Sequence, residues 1–248
     1  MDCKNCGQLV KGTYCSHCGQ NSNVGKITLS GLLKDIVNNV FQIDKGFFFT
    51  LKELFLRPGI SIEEYLNGKR KKYFKPITYV LSMSTIYFLT TKIVGQPTWL
   101  DSFFSGFTSQ TFQDAGQKQV PPFLSWFANN FAYSTLLLLP VFSLASYLSF
   151  RRLGSNYAEH LVINSYITGQ QAVFYSFSTL IHLLWSSDML AWLQVLMSIG
   201  YAIWVFTSFF REEHTVKSIL RSLSTYIIYL VLSTLCLILV MLVSKYPS

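Results

Sequence analysis

Apolar and polar positions alternate along this chain in three registers. From Leu29 the apolar residues Leu29, Leu32, Leu33, Ile36, Val37, Val40 and Phe41 recur at helical spacing, with Lys34, Asp35, Asn38 and Asn39 opposite them, which predicts an amphipathic helix. Beyond Asp44-Lys45-Gly46 a second apolar run, Phe47 to Leu56, carries Lys52 and Glu53 in its middle and stops at Arg57-Pro58-Gly59. It is too short and too charged to cross a bilayer, so it is expected to lie in the interface with Lys52 and Glu53 toward water. Ser61-x-x-Glu64 has capping-box spacing, which predicts a short helix starting there and closing at Gly68. After Pro76 the pattern changes to five apolar stretches of bilayer length, residues 77–95, 131–150, 162–185, 189–210 and 222–244. The fold class that follows is an all-α helical membrane bundle of about five transmembrane helices, with interfacial amphipathic helices before it.

Composition supports this reading. Half of the 248 residues are hydrophobic and only 13% are charged, against roughly 25% in ordinary soluble domains. A water-soluble globule, a disordered chain, a collagen and a coiled coil are all excluded. The net charge is +8, and residues 1–76 hold 12 of the basic and 6 of the acidic groups, so most of the excess precedes the first long apolar stretch. Lys69-Arg70-Lys71-Lys72 and Lys75 stand directly before Pro76 and are expected to meet anionic headgroups on the cytosolic face. Aromatic and basic residues so interleaved can also track a nucleic-acid backbone, but the adjoining span favours the lipid surface. With the N-terminus cytosolic, inside loops carry Arg151 and Arg152, then Arg211, Lys217 and Arg221, while outside loops carry Asp101, Asp114, Lys118 and Asp188. The positive-inside rule then predicts a multi-pass chain with its N-terminus in the cytosol and its C-terminus outside. The long second connection holds aromatic segments, Phe103 to Phe112 and Phe123 to Phe127, suited to interfacial or re-entrant positions.

Four of the five cysteines lie in the first eighteen residues, as Cys3-Lys-Asn-Cys6-Gly and Cys15-Ser-His-Cys18-Gly. Each C-x2-C-G is a knuckle whose tight turn points two sulfurs at one ion. Two knuckles complete a tetrahedron, which predicts a zinc ribbon over residues 1–20 with structural Zn2+ on Cys3, Cys6, Cys15 and Cys18. Metal binding would supply folding free energy that so short a segment cannot draw from a core. Two disulfides or a redox iron site are weaker readings, since no secretory signal and no βαβ pattern surround the pairs. His17 is expected at the surface, and Cys236 in apolar packing. Residues 21–28, introduced by Gln20-Asn21-Ser22-Asn23, read as a linker that tethers the ribbon to residues 29–76 and to the bundle at 77–248.

Polar residues at membrane depth gather in the third stretch: Asn164, Gln170, Gln171 and His182. They suit either a lined cavity for a solute, lipid headgroup or proton, or interhelical hydrogen bonds at the centre of the bundle, which is the favoured reading. Pro140 should kink the second span. Glu159-His160 and Glu212-Glu213-His214 could face one another at the cytosolic ends as a metal or proton site, though solvation at headgroup level is the simpler expectation. The sequence contains no G-x-S-x-G, H-E-x-x-H, Walker loop or G-x-G-x-x-G.

A wider resemblance joins these pieces. The knuckles, Tyr14-Cys15-Ser16-His17-Cys18-Gly19-Gln20, Asp44-Lys45-Gly46-Phe47 with Thr50-Leu51 and Leu54, Arg57-Pro58-Gly59, Glu64-Tyr65, Gly68-Lys69-Arg70, Tyr73 and Pro76 together resemble an uncharacterised bacterial family of zinc-ribbon membrane proteins built on a domain of unknown function. The resemblance covers about the first third of the chain. It implies a cytosolic ribbon, an interfacial segment and a small helical bundle in a bacterial inner membrane, and it brings no catalytic residue. The expected function is therefore a non-enzymatic membrane protein whose ribbon docks a protein partner. The alternative is a transporter or lipid-handling subunit using the third span. A membrane-tethered nucleic-acid or ribosome contact is a weaker third. Gly169 and Ala172 hint at close helix packing and a homo-oligomer.

Overall fold

The structure, a computed structural model, describes residues 1–32, 46–102, 105–106, 126–127, 129–185 and 188–245. Among these the extended structure is limited to two isolated antiparallel bridges, Asp2 with Leu9 and Tyr14 with Asn21, and the rest is helix, turn and irregular connection. The helices follow as α1 (Gly46–Leu56), α2 (Pro58–Leu66), α3 (Pro76–Val94), α4 (Phe131–Phe150), α5 (Tyr157–His182), α6 (Asp188–Phe209) and α7 (Thr215–Lys245). Of the amphipathic helix expected from Leu29, only residues 29–32 are described; Leu33, Ile36, Val37, Val40 and Phe41 lie outside the described residues. The same holds for Asp114 and Lys118, and for all of the two aromatic segments except Ser105, Gly106, Trp126 and Phe127.

Among the described residues, four stretches are long and apolar enough to cross a membrane: Pro76–Val94, Phe131–Leu153, Met189–Phe209 and Thr215–Val240. They match four of the five expected spans. The remaining one, expected over 162–185, forms α5, which at 26 residues has the length but not the apolar composition. Its position explains why. α5 packs against α3, α4 and α6, and its residues from His160 to Ile167 are all buried, so protein rather than lipid surrounds its polar groups. α5 also starts earlier than expected, because Asn156 and Glu159 form a capping box: Glu159 N–H donates to Asn156 Oδ1 at 2.9 Å and Asn156 N–H donates to Glu159 Oε2 at 2.9 Å.

α7 is the inverse case. It packs on α4 and α6, yet only 6% of its most apolar window is buried, and Ile227, Leu230, Leu235 and Leu239 face outward. An apolar surface of this kind is stable only against an apolar surround.

α1 and α2 do not simply lie along an interface. Phe47, Thr50 and Leu54 form a buried stripe on α1 at helical spacing, and Phe48, Phe55 and Leu56 stay exposed. The Phe47 ring meets Phe74 edge-on at 5.3 Å. Thr50 Oγ1 accepts the Phe74 N–H at 2.7 Å, and Tyr166 OH of α5 donates to the Phe74 carbonyl at 2.6 Å. The segment leading into α3 is thus bolted to α1 on one side and to α5 on the other. Two expectations are corrected here. Lys52 does face water, but Glu53 is buried and paired with Arg57. The capping box at Ser61 and Glu64 does not form, because Pro58 at the first helical position starts α2 three residues earlier. Ser61 Oγ instead donates to the Arg57 carbonyl at 2.9 Å, and Glu64 reaches forward out of the helix. Gly59 lies directly against α6: an added Cβ would stand 2.5 Å from Phe209 N.

Candidate metal centre

The two C-x2-C-G segments build the same turn twice. In the first, Cys3 N–H donates to the Gln8 carbonyl at 2.9 Å and Gly7 N–H to the Cys3 carbonyl at 2.8 Å; in the second, Cys15 N–H donates to Gln20 at 2.8 Å and Gly19 N–H to Cys15 at 2.8 Å. Gly7 and Gly19 hold φ of 77° and 70°. A side chain in that region clashes with its own backbone, which is why glycine follows each pair.

The turns bring all four sulfurs within 4.8 Å of one another, with Cys3 Sγ to Cys18 Sγ and Cys6 Sγ to Cys15 Sγ each at 3.6 Å. A tetrahedron with metal–sulfur bonds of about 2.3 Å has sulfurs about 3.8 Å apart. The spacing therefore suits one ion, and it is far longer than a disulfide; none of the four is disulfide-bonded. Two of the four donors are prepared for a cation, whereas Cys6 is pushed up to about 12, its Gln8 backbone bond being outweighed by desolvation and its three sulfur neighbours. Backbone N–H groups of Cys18 and His17 hold the Cys15 thiol down to about 6, and the N–H groups of Cys6 and Asn5 lower Cys3. Thiolate is the ligand form, so these amides favour the loaded state. Cys3 and Cys15 are buried with Val10 in a core of their own, separate from that of the bundle. His17 is exposed, as expected, and Cys236 is exposed on α7.

The module does not hang free. Gln20, expected at the edge of a flexible linker, is 5% exposed. Its Nε2 donates to the Gly68 carbonyl at 2.7 Å, and its Oε1 accepts the N–H groups of Arg70 and Lys71, both at 3.1 Å. Arg70 in turn donates from its guanidinium to the Gly25 carbonyl at 2.6 Å. A buried carboxamide with three bonds is a fixed contact, so the last residue of the cysteine module is anchored to the turn after α2. The sequence holds one signal for it: C-x2-C-G-Q occurs twice, at Gln8 and Gln20, and only Gln20 finds a partner surface.

The basic block that follows is partly committed to internal partners. Lys69 pairs with Glu64 at 3.0 Å and Lys72 with the same carboxylate at 3.8 Å, while Lys72 Nζ also stands 4.6 Å from the Phe49 ring centre. Tyr73 OH donates to Glu64 Oε2 at 2.7 Å, and Arg57 lies 3.9 Å away. Burial alone would raise the Glu64 carboxyl, but the bonds from Tyr73 and Lys69 outweigh it and hold the group below its ordinary range. Lys71 is exposed, and Lys75 precedes the first residue of α3. Glu64 is the residue that sequence reasoning placed in the wrong role: it is the hub of the turn and not a helix cap.

The four polar residues expected to line a cavity in α5 are dispersed among different neighbours. Gln170 Oε1 accepts from Tyr79 OH of α3 at 2.5 Å. Gln171 Nε2 donates to the Ser198 carbonyl of α6 at 3.0 Å. Asn164 Nδ2 donates to Ser146 Oγ of α4 at 2.6 Å. His182 sits half-buried in the last turn. Of the four, only Gln171 lines the cleft of about 130 Å³ formed with Tyr175, Ser198, Tyr226 and Trp99. Beside Gln170, Gly169 lets α3 approach so closely that an added Cβ would stand 2.5 Å from the Tyr79 ring.

The second expected constellation is not assembled. Glu159 is used in the cap of α5, and Glu213 pairs with Arg221 at 2.9 Å. His160 is fully buried, its Nδ1 3.0 Å from Ser146 Oγ, and its ring is stacked on Phe210 and tilted against Phe150. Among the described residues, the four cysteines are the only group of three or more His, Cys, Asp and Glu side chains placed to share an ion. A family model described as a protein of unknown function (DUF3667) matches residues 44–88. The match spans α1, α2, the Glu64 turn and the first two thirds of α3, and it leaves the cysteines outside. No curated protein and no solved structure matches the chain.

Proposed function

We propose that this chain is a non-enzymatic multi-pass membrane protein whose N-terminal cysteine module is a zinc ribbon that docks a protein partner. The observation that carries the reading is the closed four-sulfur site. With every tetrahedral position supplied by protein, the metal has no place for water or substrate, so its role is to fold the module. The folded module presents Leu9 and Tyr14, 63% and 62% exposed, beside a small buried core. Large apolar side chains on so small a surface suit contact with another protein. In this reading α5 is a fifth crossing, sheathed by α3, α4 and α6, and the basic residues before α3 keep the N-terminus in the cytosol of a bacterial inner membrane.

The test is direct. Purified protein should carry about one zinc per chain. Cys15→Ser should release it and abolish capture of the partner, while the bundle still inserts. Protein that carries no metal, or a variant that captures as before, would end the ribbon reading. Labelling intact cells with an impermeant maleimide after metal removal tests the orientation, since reaction from outside would invert it.

A second reading, a subunit that handles a small solute or lipid, is favoured by one observation: the cleft at Gln171 is uncharged, with leucine and aromatic side chains beside a few hydroxyl and amide groups. Gln171→Leu should reduce flux without lowering membrane abundance. Unchanged flux would return Gln171 to a purely structural bond between α5 and α6.

A further inference from the structure

Gln20 occupies a place built for an anion. Two consecutive backbone N–H groups, of Arg70 and Lys71, converge on its single carboxamide oxygen at 3.1 Å each, and Gln20 is all but fully buried there. Successive amides aimed at one oxygen form a concave site with fixed positive partial charge. The residues that supply these amides belong to a run of four consecutive cations, Lys69, Arg70, Lys71 and Lys72, shortly before the first residue of α3 at Pro76. A neutral side-chain oxygen is a modest ligand for such a concentration of donors. In the closed arrangement the cations are also restrained: Lys69 and Lys72 by Glu64, and Arg70 by the Gly25 carbonyl.

We propose that Gly68 to Lys72 form a phosphate-binding site that Gln20 holds shut, its carboxamide oxygen standing in for a phosphate oxygen. Release of the cysteine module removes two restraints together, because Gln20 and Gly25 both belong to the N-terminal segment. Two amides and the Arg70 guanidinium are then free to meet one phosphate group, with Lys71 already exposed beside them. Phosphate suits the site better than a carboxylate, since its tetrahedral oxygens can accept from the amides and from the side chains at once. The group could belong to an anionic lipid headgroup or be free phosphate; the site reads the chemistry they share. The position of Gln20 depends on the second knuckle, whose Cys15 N–H donates to the Gln20 carbonyl at 2.8 Å. Opening by metal loss therefore rests on the zinc reading above, whereas the site beneath Gln20 does not.

The full chain in neutral detergent is titrated calorimetrically with inorganic phosphate, with dihexanoyl phosphatidylglycerol and with phosphate-free dihexanoyl glycerol. Gln20→Ala should bind one or both phosphate probes about tenfold tighter than the unaltered chain, with no gain for the glycerol. Gln20→Glu, which keeps an oxygen on both amides, should show no gain. A gain confined to phosphatidylglycerol assigns the site to lipid, and a gain for inorganic phosphate assigns it to free phosphate. Should Gln20→Ala unfold the module, the site is exposed all the more, so the gain is still required. Equal binding by Gln20→Ala and the unaltered chain, or an equal gain for the glycerol, overturns the proposal. Chelation of the unaltered chain should reproduce the gain; if only this arm stays flat, the zinc reading fails and the phosphate site stands.

Discussion

The two knuckles have the same sequence pattern and the same backbone, yet Gln8 is exposed while Gln20 is buried against the turn after α2. Their difference separates what a local sequence makes from what its surroundings make of it. The turn, the positive φ at glycine and the inward sulfurs belong to the pattern itself and so occur twice. The docking contact needs a second surface, and only one knuckle meets it.

The comparison can be broken most severely at the sulfurs. Cys3→Ser and Cys15→Ser should be equally damaging, since each removes one of four ligands from a site whose binding accounts for about 10–16 kcal/mol of folding free energy in isolated zinc modules. Metal content and the melting of the module should collapse alike; a clear difference would mean that the two knuckles do not share one ion. Next in size is the pair Gln20→Ala and Gln8→Ala. Loss of Gln20 leaves two part-buried N–H groups without their partner, at up to about 1 kcal/mol each, whereas loss of Gln8 should stay within about 0.5 kcal/mol. Hydrogen exchange at Arg70 and Lys71 reads this difference, and equal protection in both variants would remove the asymmetry. Gly7→Ala and Gly19→Ala come third, each costing about 1–2 kcal/mol for a side chain at positive φ. Their effects on zinc affinity should match, and unequal losses would show that the knuckles differ in more than their setting.

The smallest effect is that of pH on the turn that receives Gln20. The folded Glu64 carboxyl lies below its ordinary value of 4.5, so its contribution is complete above that pH and is lost as pH falls through the lower folded value. The pairs are partly exposed, and each should count for no more than about 1 kcal/mol. Glu64→Gln should flatten the acid limb of a thermal-melting profile measured by circular dichroism; an unchanged limb would assign it to other carboxylates.

Much of the architecture was legible beforehand. Four membrane-length apolar helices stand where the pattern put them, because a bilayer imposes a length and a composition that can be read from consecutive residues. The convergence of the cysteines was legible for a similar reason, as a knuckle is made by neighbours in sequence. Errors arose where a residue had two partners to choose from. Ser61 and Glu64 have capping-box spacing, but Pro58 had already started the helix, so Glu64 went to Tyr73 and Lys69. Asn156 and Glu159 have the same spacing with no competing start, and there the box formed. Gln170 and Gln171 are adjacent, yet a helix turns about 100° per residue and sends them to α3 and α6 respectively.

The amino-acid sequence by itself determined the elements whose energetics are local: the apolar helices, the glycine-closed turns and the pairing of cysteines within each knuckle. Only the tertiary structure decided that α5 lies sheathed in protein, that Glu64 gathers the basic turn and that Gln20 rather than Gln8 closes it. A backbone turn is set by the torsions of a few successive residues. The fate of a polar side chain depends on which donors and acceptors remain unpaired once distant segments have met, and no stretch of neighbouring residues contains that information.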